Sequence, residues 1–151
     1  MEISGKQTVS KSPDCLWDIL FEEETLEATL PGAQEFKRDG DRFEGTIQRG
    51  LAGISLTLSI DVEITGEAEP EWVECEIEGV DNTINSRVNG KGRVELVEVG
   101  DGETELVYEL SFDFSGKLAS LGSRIIKHQV NNEIDNFFSN LREYVDEEDT
   151  P

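Results

Sequence analysis

From Ile54 to Thr65 the chain alternates without a fault. Ile54, Leu56, Leu58, Ile60, Val62 and Ile64 fall on one side, and Ser55, Thr57, Ser59, Asp61, Glu63 and Thr65 on the other. Side chains of an extended strand point alternately to opposite faces, so this period of two predicts a long strand with one dry face and one wet face. A sheet with a single dry face must be covered on that side. Some other part of the chain has to supply the cover.

Other segments share the period. Phe43, Gly45 and Ile47 follow the turn Asp39-Gly40-Asp41. Val73, Cys75, Ile77 and Gly79 alternate with glutamates after Glu69-Pro70-Glu71. Val88, Gly90, Gly92, Val94 and Leu96 continue the pattern, and Gly100-Asp101-Gly102 turns the chain into Leu106, Tyr108, Leu110, Phe112 and Phe114. An N-terminal strand, EISGKQTVS, precedes them all. Ser12-Pro13-Asp14 then opens a short helix, and a second one, ETLEATL, stops at Pro31-Gly32. The predicted order is one strand, two short helices, about six strands in an antiparallel meander and one long helix from Lys117 to about Tyr144. This is an α+β fold in which an antiparallel sheet of six or seven strands is covered on its inner face by the last helix. At 151 residues the chain fits one domain, expected over residues 1–145, with 146–151 as a disordered acidic tail.

The helix poses a question, because it opens with GKLASLGS, and glycine and serine are weak helix formers. On a helical wheel, Ala119, Ser123, Ile126, Val130, Ile134, Phe137, Leu141 and Tyr144 form one stripe that starts small and ends large. Two readings stay open. Small side chains, with Gly122 at their edge, would roof a void against the sheet, with Leu26 and Leu30 closing its side; or they would let the helix pack tightly. Leu118, Leu121 and Ile125 point elsewhere on the wheel and form a candidate patch for a partner.

Charge excludes one class of partner. Thirteen Lys and Arg stand against 34 Asp and Glu, a net −21 spread along the chain, whereas nucleic-acid binding rests on cations that neutralise phosphates. Abundant acids with few lysines also suggest a protein kept soluble in concentrated salt, hence a halophilic source. Cys15 and Cys75 lie far apart outside any CxxC and read as core thiols, and His128 cannot complete a zinc site with them. No metal or cofactor is expected. There is no signal-like apolar core near the start and no run of 18 apolar residues, so a cytoplasmic protein that does not span a membrane is expected.

The run GKLASLGSRII, the earlier LPGAQEF at Leu30 to Phe36, and the order of elements are similar to the carbon monoxide dehydrogenase G-subunit family, within the START-like, helix-grip superfamily also called SRPBCC. The resemblance covers about Ile3 to Tyr144. It implies a deep apolar cavity between sheet and long helix, a hydrophobic ligand such as a lipid or quinone, and an accessory role beside a molybdenum hydroxylase such as carbon monoxide dehydrogenase. Carried over by position, Leu30, Pro31 and Gly32 lie at the cavity mouth, and Gly116, Lys117, Leu118, Ala119, Leu121, Gly122, Ser123, Arg124 and Ile126 carry the helix motif. The expected lining adds Ile47, Leu58, Ile77, Val88, Gly90, Tyr108, Leu110 and Phe112. A charge of −21 opposes an anionic membrane, so direct membrane binding is not expected. Catalysis is not expected either, because the interior positions offer no acid, base or nucleophile beyond Tyr108, Ser123 and Cys75. A Tyr108 proton donor in a cyclase-like enzyme, or a recruitment factor without a ligand, are the alternatives.

Overall fold

The computed structural model describes residues 1–51 and 53–148. Seven strands form one antiparallel sheet: β1 (Glu2–Val9), β2 (Ala33–Asp39), β3 (Arg42–Leu51), β4 (Ile54–Ala68), β5 (Trp72–Asp81), β6 (Ser86–Gly100) and β7 (Glu103–Gly116). Their spatial order is β1-β7-β6-β5-β4-β3-β2, so every consecutive pair from β2 to β7 is a hairpin neighbour and β1 adds beside β7. Helices α1 (Pro13–Leu20) and α2 (Glu23–Thr29) follow β1, and α3 (Ser123–Glu148) ends the described chain. The antiparallel meander expected from the period-two segments is therefore present, in the helix-grip arrangement that the family resemblance implies.

Local chemistry sets the boundaries. Ser12 caps α1 by accepting from the Cys15 N–H at 3.4 Å, and Pro13 opens the helix, where its missing N–H costs nothing. Gly32 takes φ +75 after α2. A Cβ there would also lie 2.2 Å from the Gln48 carbonyl oxygen, so the turn can sit on β3 only as glycine.

The stretch after β7 departs from expectation. It is not the first turn of the long helix. Gly116 has φ +79, and a Cβ on it would lie 1.8 Å from the Asn85 carbonyl oxygen. A single 3-10 turn, Leu118–Leu121, follows, and Gly122 at φ +89 separates it from α3. The Leu118 N–H donates to Ser86 Oγ at 2.9 Å, which pins this reversal to β6. The glycines are thus required by backbone conformation. At its other end α3 runs on through Glu148, so residues 146–148 are helical where a disordered tail is expected, and the remainder of that tail lies outside the described residues.

Two separate clusters make the core. The larger joins Leu16, Trp17, Phe43, Leu106, Tyr108, Phe138, Leu141 and Val145 at the α1 end of the sheet. The smaller joins Leu51, Leu56, Val88 and Leu118, with Leu58, Phe112 and Leu121 packed against it. Facing outward, Arg42 pairs with Asp61 and Glu63, Arg87 with Glu78, and Arg93 with Glu74 and Glu95, which leaves the wet face solvated as its alternation predicts.

Candidate functional site

Strand register shows how the inner face runs from one cluster to the other. Paired residues of antiparallel strands point to the same side, so the row Phe43, Val62, Ile77, Gly90 and Phe112 crosses five strands on that face. Beside it run the rows Gly45, Ile60, Gly79, Val88 and, on the other flank, Ile64, Cys75, Gly92, Leu110, Ile3. Four inward positions near the centre of the sheet are therefore glycines.

Neighbouring side chains lie down over them. A Cβ on Gly90 would fall 2.7 Å from Phe112 Cδ1, one on Gly92 2.9 Å from Leu110 Cδ2, and one on Gly79 3.0 Å from Ile60 Cδ1. Phe36 covers Gly45 in the same way. Rings and branches that lie flat along the sheet do not reach up toward the helix. Accordingly Leu58, Ile60, Ile77, Leu110 and Phe112 are only half-buried although they point inward, as are Val130 and Ile134 on α3. In contrast, Leu16, Leu106, Leu141 and Val145 at the α1 end are 0–1% exposed.

The expected site residues divide accordingly. Leu58, Ile77, Val88, Gly90, Leu110 and Phe112 share the inner face as expected, with Ile47 opposite Leu58. Ile126 is buried under α3 at 3% exposure. Tyr108 also points inward, but it belongs to the packed end: it is 8% exposed, stacks on Phe138 at 5.4 Å and lies across Gly5. Leu26 and Leu30 lie beside the turn at Pro31 and Gly32, and Leu26 packs on the larger cluster.

Three expectations are corrected. Ala119, Gly122 and Ser123 do not roof the interior, since they precede or begin α3 and are exposed. Leu118 is not part of an open patch; it is 2% exposed within the smaller cluster, Leu121 is half-buried, and Ile125 alone of the three is exposed, at 48%. Cys15 is exposed and not a core thiol, whereas Cys75 sits on the inner face, where burial raises its pKa despite a hydrogen bond with the Gly92 backbone. Sequence reasoning missed Gly45, Gly79 and Gly92 as a floor, although each stands in an alternating segment. It also missed Phe138 and Val145, which lie about 100–120° round the wheel from Ile126, just beyond the edge of the stripe, because the buried face is wider than that stripe.

Polar groups on the inner side are few. Asp81, at the end of β5, accepts from the N–H groups of Thr57 at 2.9 Å, Thr83 at 2.9 Å and Ile84 at 3.4 Å. These bonds, that of Thr57 foremost, hold its carboxyl below the usual carboxylate range and commit it to shaping the turn before β6. Arg49 on β3 meets Glu133 on α3. Among the described residues no group of three or more His, Cys, Asp or Glu is placed to hold a metal, and no helix is long and apolar enough to cross a membrane. A recess of about 650 Å³ opens between Leu51 and the first turns of α3, lined by Arg124, Ile125, Lys127, His128 and Gln129.

Comparison with known proteins agrees with this geometry. The sequence profile of the CoxG family, named for the G-subunit of carbon monoxide dehydrogenase, matches residues 5–146. Among solved structures, a conserved protein from Geobacillus kaustophilus is similar with a TM-score of 0.89 at 21% identity, over 97% of this chain and 96% of that one. A START superfamily protein from Mycobacterium smegmatis gives 0.75 at 14% identity, over 97% of each chain. The ZhuI aromatase/cyclase from a Streptomyces species gives 0.70 at 12% identity, over 97% and 93%. At such identities these likenesses speak for the START-like fold alone. No match was found among curated proteins.

Proposed function

The chain belongs to the CoxG family of carbon monoxide dehydrogenase, and from that premise we propose that it is a non-enzymatic carrier of a hydrophobic small molecule, lipid-like or quinone-like, accessory to a molybdenum hydroxylase such as carbon monoxide dehydrogenase. One observation carries the reading: four inward positions near the centre of the sheet are glycines, and the apolar side chains around them, Leu58, Ile60, Ile77, Leu110 and Phe112, are only half-buried. A guest lying between Gly90, Ile77, Phe112 and α3 would bury its own apolar surface and theirs, at roughly 25 cal/mol for each Å² removed from water. Proton transfer has no obvious agent there, since Tyr108 is packed against Phe138 at the far end. Gentle purification, solvent extraction and mass spectrometry test the proposal. A stoichiometric apolar compound is expected; an empty protein that binds neither quinones nor fatty acyl compounds would refute it.

A second reading, recruitment of a partner enzyme, is favoured by local charge. No Asp or Glu occurs from Gly116 to Asn132, and the exposed Arg124 and Lys127 line the same recess as Ile125. In a chain of net charge −21 this corner is a docking surface suited to an acidic partner. Replacing Ile125 and Arg124 should abolish co-precipitation with a molybdenum hydroxylase and leave ligand binding intact. The remaining acidic surface supports a halophilic setting, in which salt screens self-repulsion. The melting temperature should climb steeply with salt concentration, and full stability in dilute buffer would contradict this.

A further inference from the structure

We propose that Arg49 is the polar anchor of the chamber, holding a neutral carbonyl oxygen on an otherwise apolar guest; the inference rests on the carrier reading above. Register places Arg49 opposite Leu56, between the pairs Ile47 with Leu58 and Leu51 with Ile54. It therefore points inward, and among the described residues of β3 to β7 no other Lys or Arg stands at an inward register position. The Arg49 side chain is 38% exposed, so the charge keeps part of its hydration, and the side chain stands at the rim of the apolar face rather than deep within it.

Arg49 Nη2 meets Glu133 Oε1 at 2.5 Å, and the same carboxylate oxygen accepts from Gln129 Nε2 at 3.1 Å. The pair spans from β3 to α3 next to the turn at Gly32, where a Cβ would lie 2.8 Å from Arg49 Cδ. The stem of Arg49 thus lies against the turn, and its head reaches across to Glu133 on α3. Yet Nε is buried and has no hydrogen-bond partner, an unmet donor of the kind that calls for an explanation.

Charge decides which acceptor fits. Arg49 and Glu133 already cancel, so a second carboxylate would be repelled by Glu133, and no other Lys or Arg at an inward position of β3 to β7 offsets it. A ketone, quinone or ester oxygen carries no such penalty and accepts an N–H equally well in geometry. The anchor therefore selects for neutral carbonyl compounds over fatty acids of the same length.

Calorimetric titration of the whole protein with 2-dodecanone, dodecanoate and 1-chlorododecane tests this. For the wild type, the ketone should bind at least tenfold more tightly than dodecanoate. Arg49→Met should weaken the ketone about tenfold and leave the chloroalkane unchanged, Arg49→Lys should fall between, and Glu133→Gln should strengthen dodecanoate several-fold. Circular dichroism and the melting temperature verify that each variant is folded. Chloroalkane binding with no Arg49-dependent gain for the ketone overturns the anchor alone, as does an equal loss of both probes in Arg49→Met. Failure of all three probes to bind the wild type overturns the carrier reading, and the anchor with it.

Discussion

The two ends of the inner face are built from the same alphabet and filled differently. At the α1 end, large side chains from four elements converge: Leu16 and Trp17 from α1, Leu106 and Tyr108 from β7, Val9 from β1, and Phe138, Leu141 and Val145 from α3. Toward the centre the inward residues are as apolar, but glycine occupies four of their positions, and Phe112, Leu110 and Ile60 lie flat over three of them. Hydrophobic pattern alone therefore does not decide whether a space is filled. Side-chain height above the sheet does, and glycine floors lower it.

Stability measurements can break or sharpen that contrast. Leu141→Ala removes a side chain with 0% exposure and should cost about 3 kcal/mol in urea unfolding, whereas Ile77→Ala, from a half-buried position, should cost about 1 kcal/mol. Equal costs would mean that the centre is packed as tightly as the end. Asp81→Asn comes next, on the order of 2 kcal/mol, since hydrogen bonds to a charged group contribute more than neutral ones. Its pH dependence has a definite sign. The folded-state pKa is depressed, so the contribution is complete above the ordinary carboxylate range and disappears as pH falls through the folded-state value. Wild-type stability should accordingly fall more than that of Asp81→Asn as pH drops from about 5 to about 2. Parallel curves would show that Asp81 does not hold the turn.

Smaller effects probe the floor and the rim. Gly90→Ala should cost roughly 1 kcal/mol, because the new methyl must push the Phe112 ring upward. It should weaken ligand binding more than it weakens folding, which a purely structural glycine would not do. Ile125→Ala, at an exposed position, should change stability by less than about 0.5 kcal/mol. A larger loss would place Ile125 in a core contact and remove the second reading of its role.

Much of the architecture is legible in the sequence, because strand alternation and turn residues are local signals. Ile54 to Thr65 announces β4, and Asp39-Gly40-Asp41 and Gly100-Asp101-Gly102 mark hairpins found where expected. The opening of the last helix misleads for a physical reason: a glycine that permits a positive φ and one that makes room look identical in sequence. Gly116 and Gly122 are of the first kind, while Gly79 and Gly90 are of the second. Arg49 is readable in principle. The period of two from Phe43 through Gly45 and Ile47 reaches Arg49 and Leu51, and only the departure from apolar character obscures the strand's inward face. Its partner Glu133 lies 84 residues away, beyond any local pattern.

If the middle of the inner face admits an apolar guest and the α1 end does not, the difference is directly visible in solution. Isotopically labelled protein is titrated with a short-chain naphthoquinone while methyl and amide resonances are followed. Saturable shifts at Ile77, Val88, Gly90, Phe112 and Ile126, with Leu16, Leu141 and Val145 unmoved, are the predicted result. Shifts confined to the outer glutamate-rich face, or none at millimolar quinone, would contradict it.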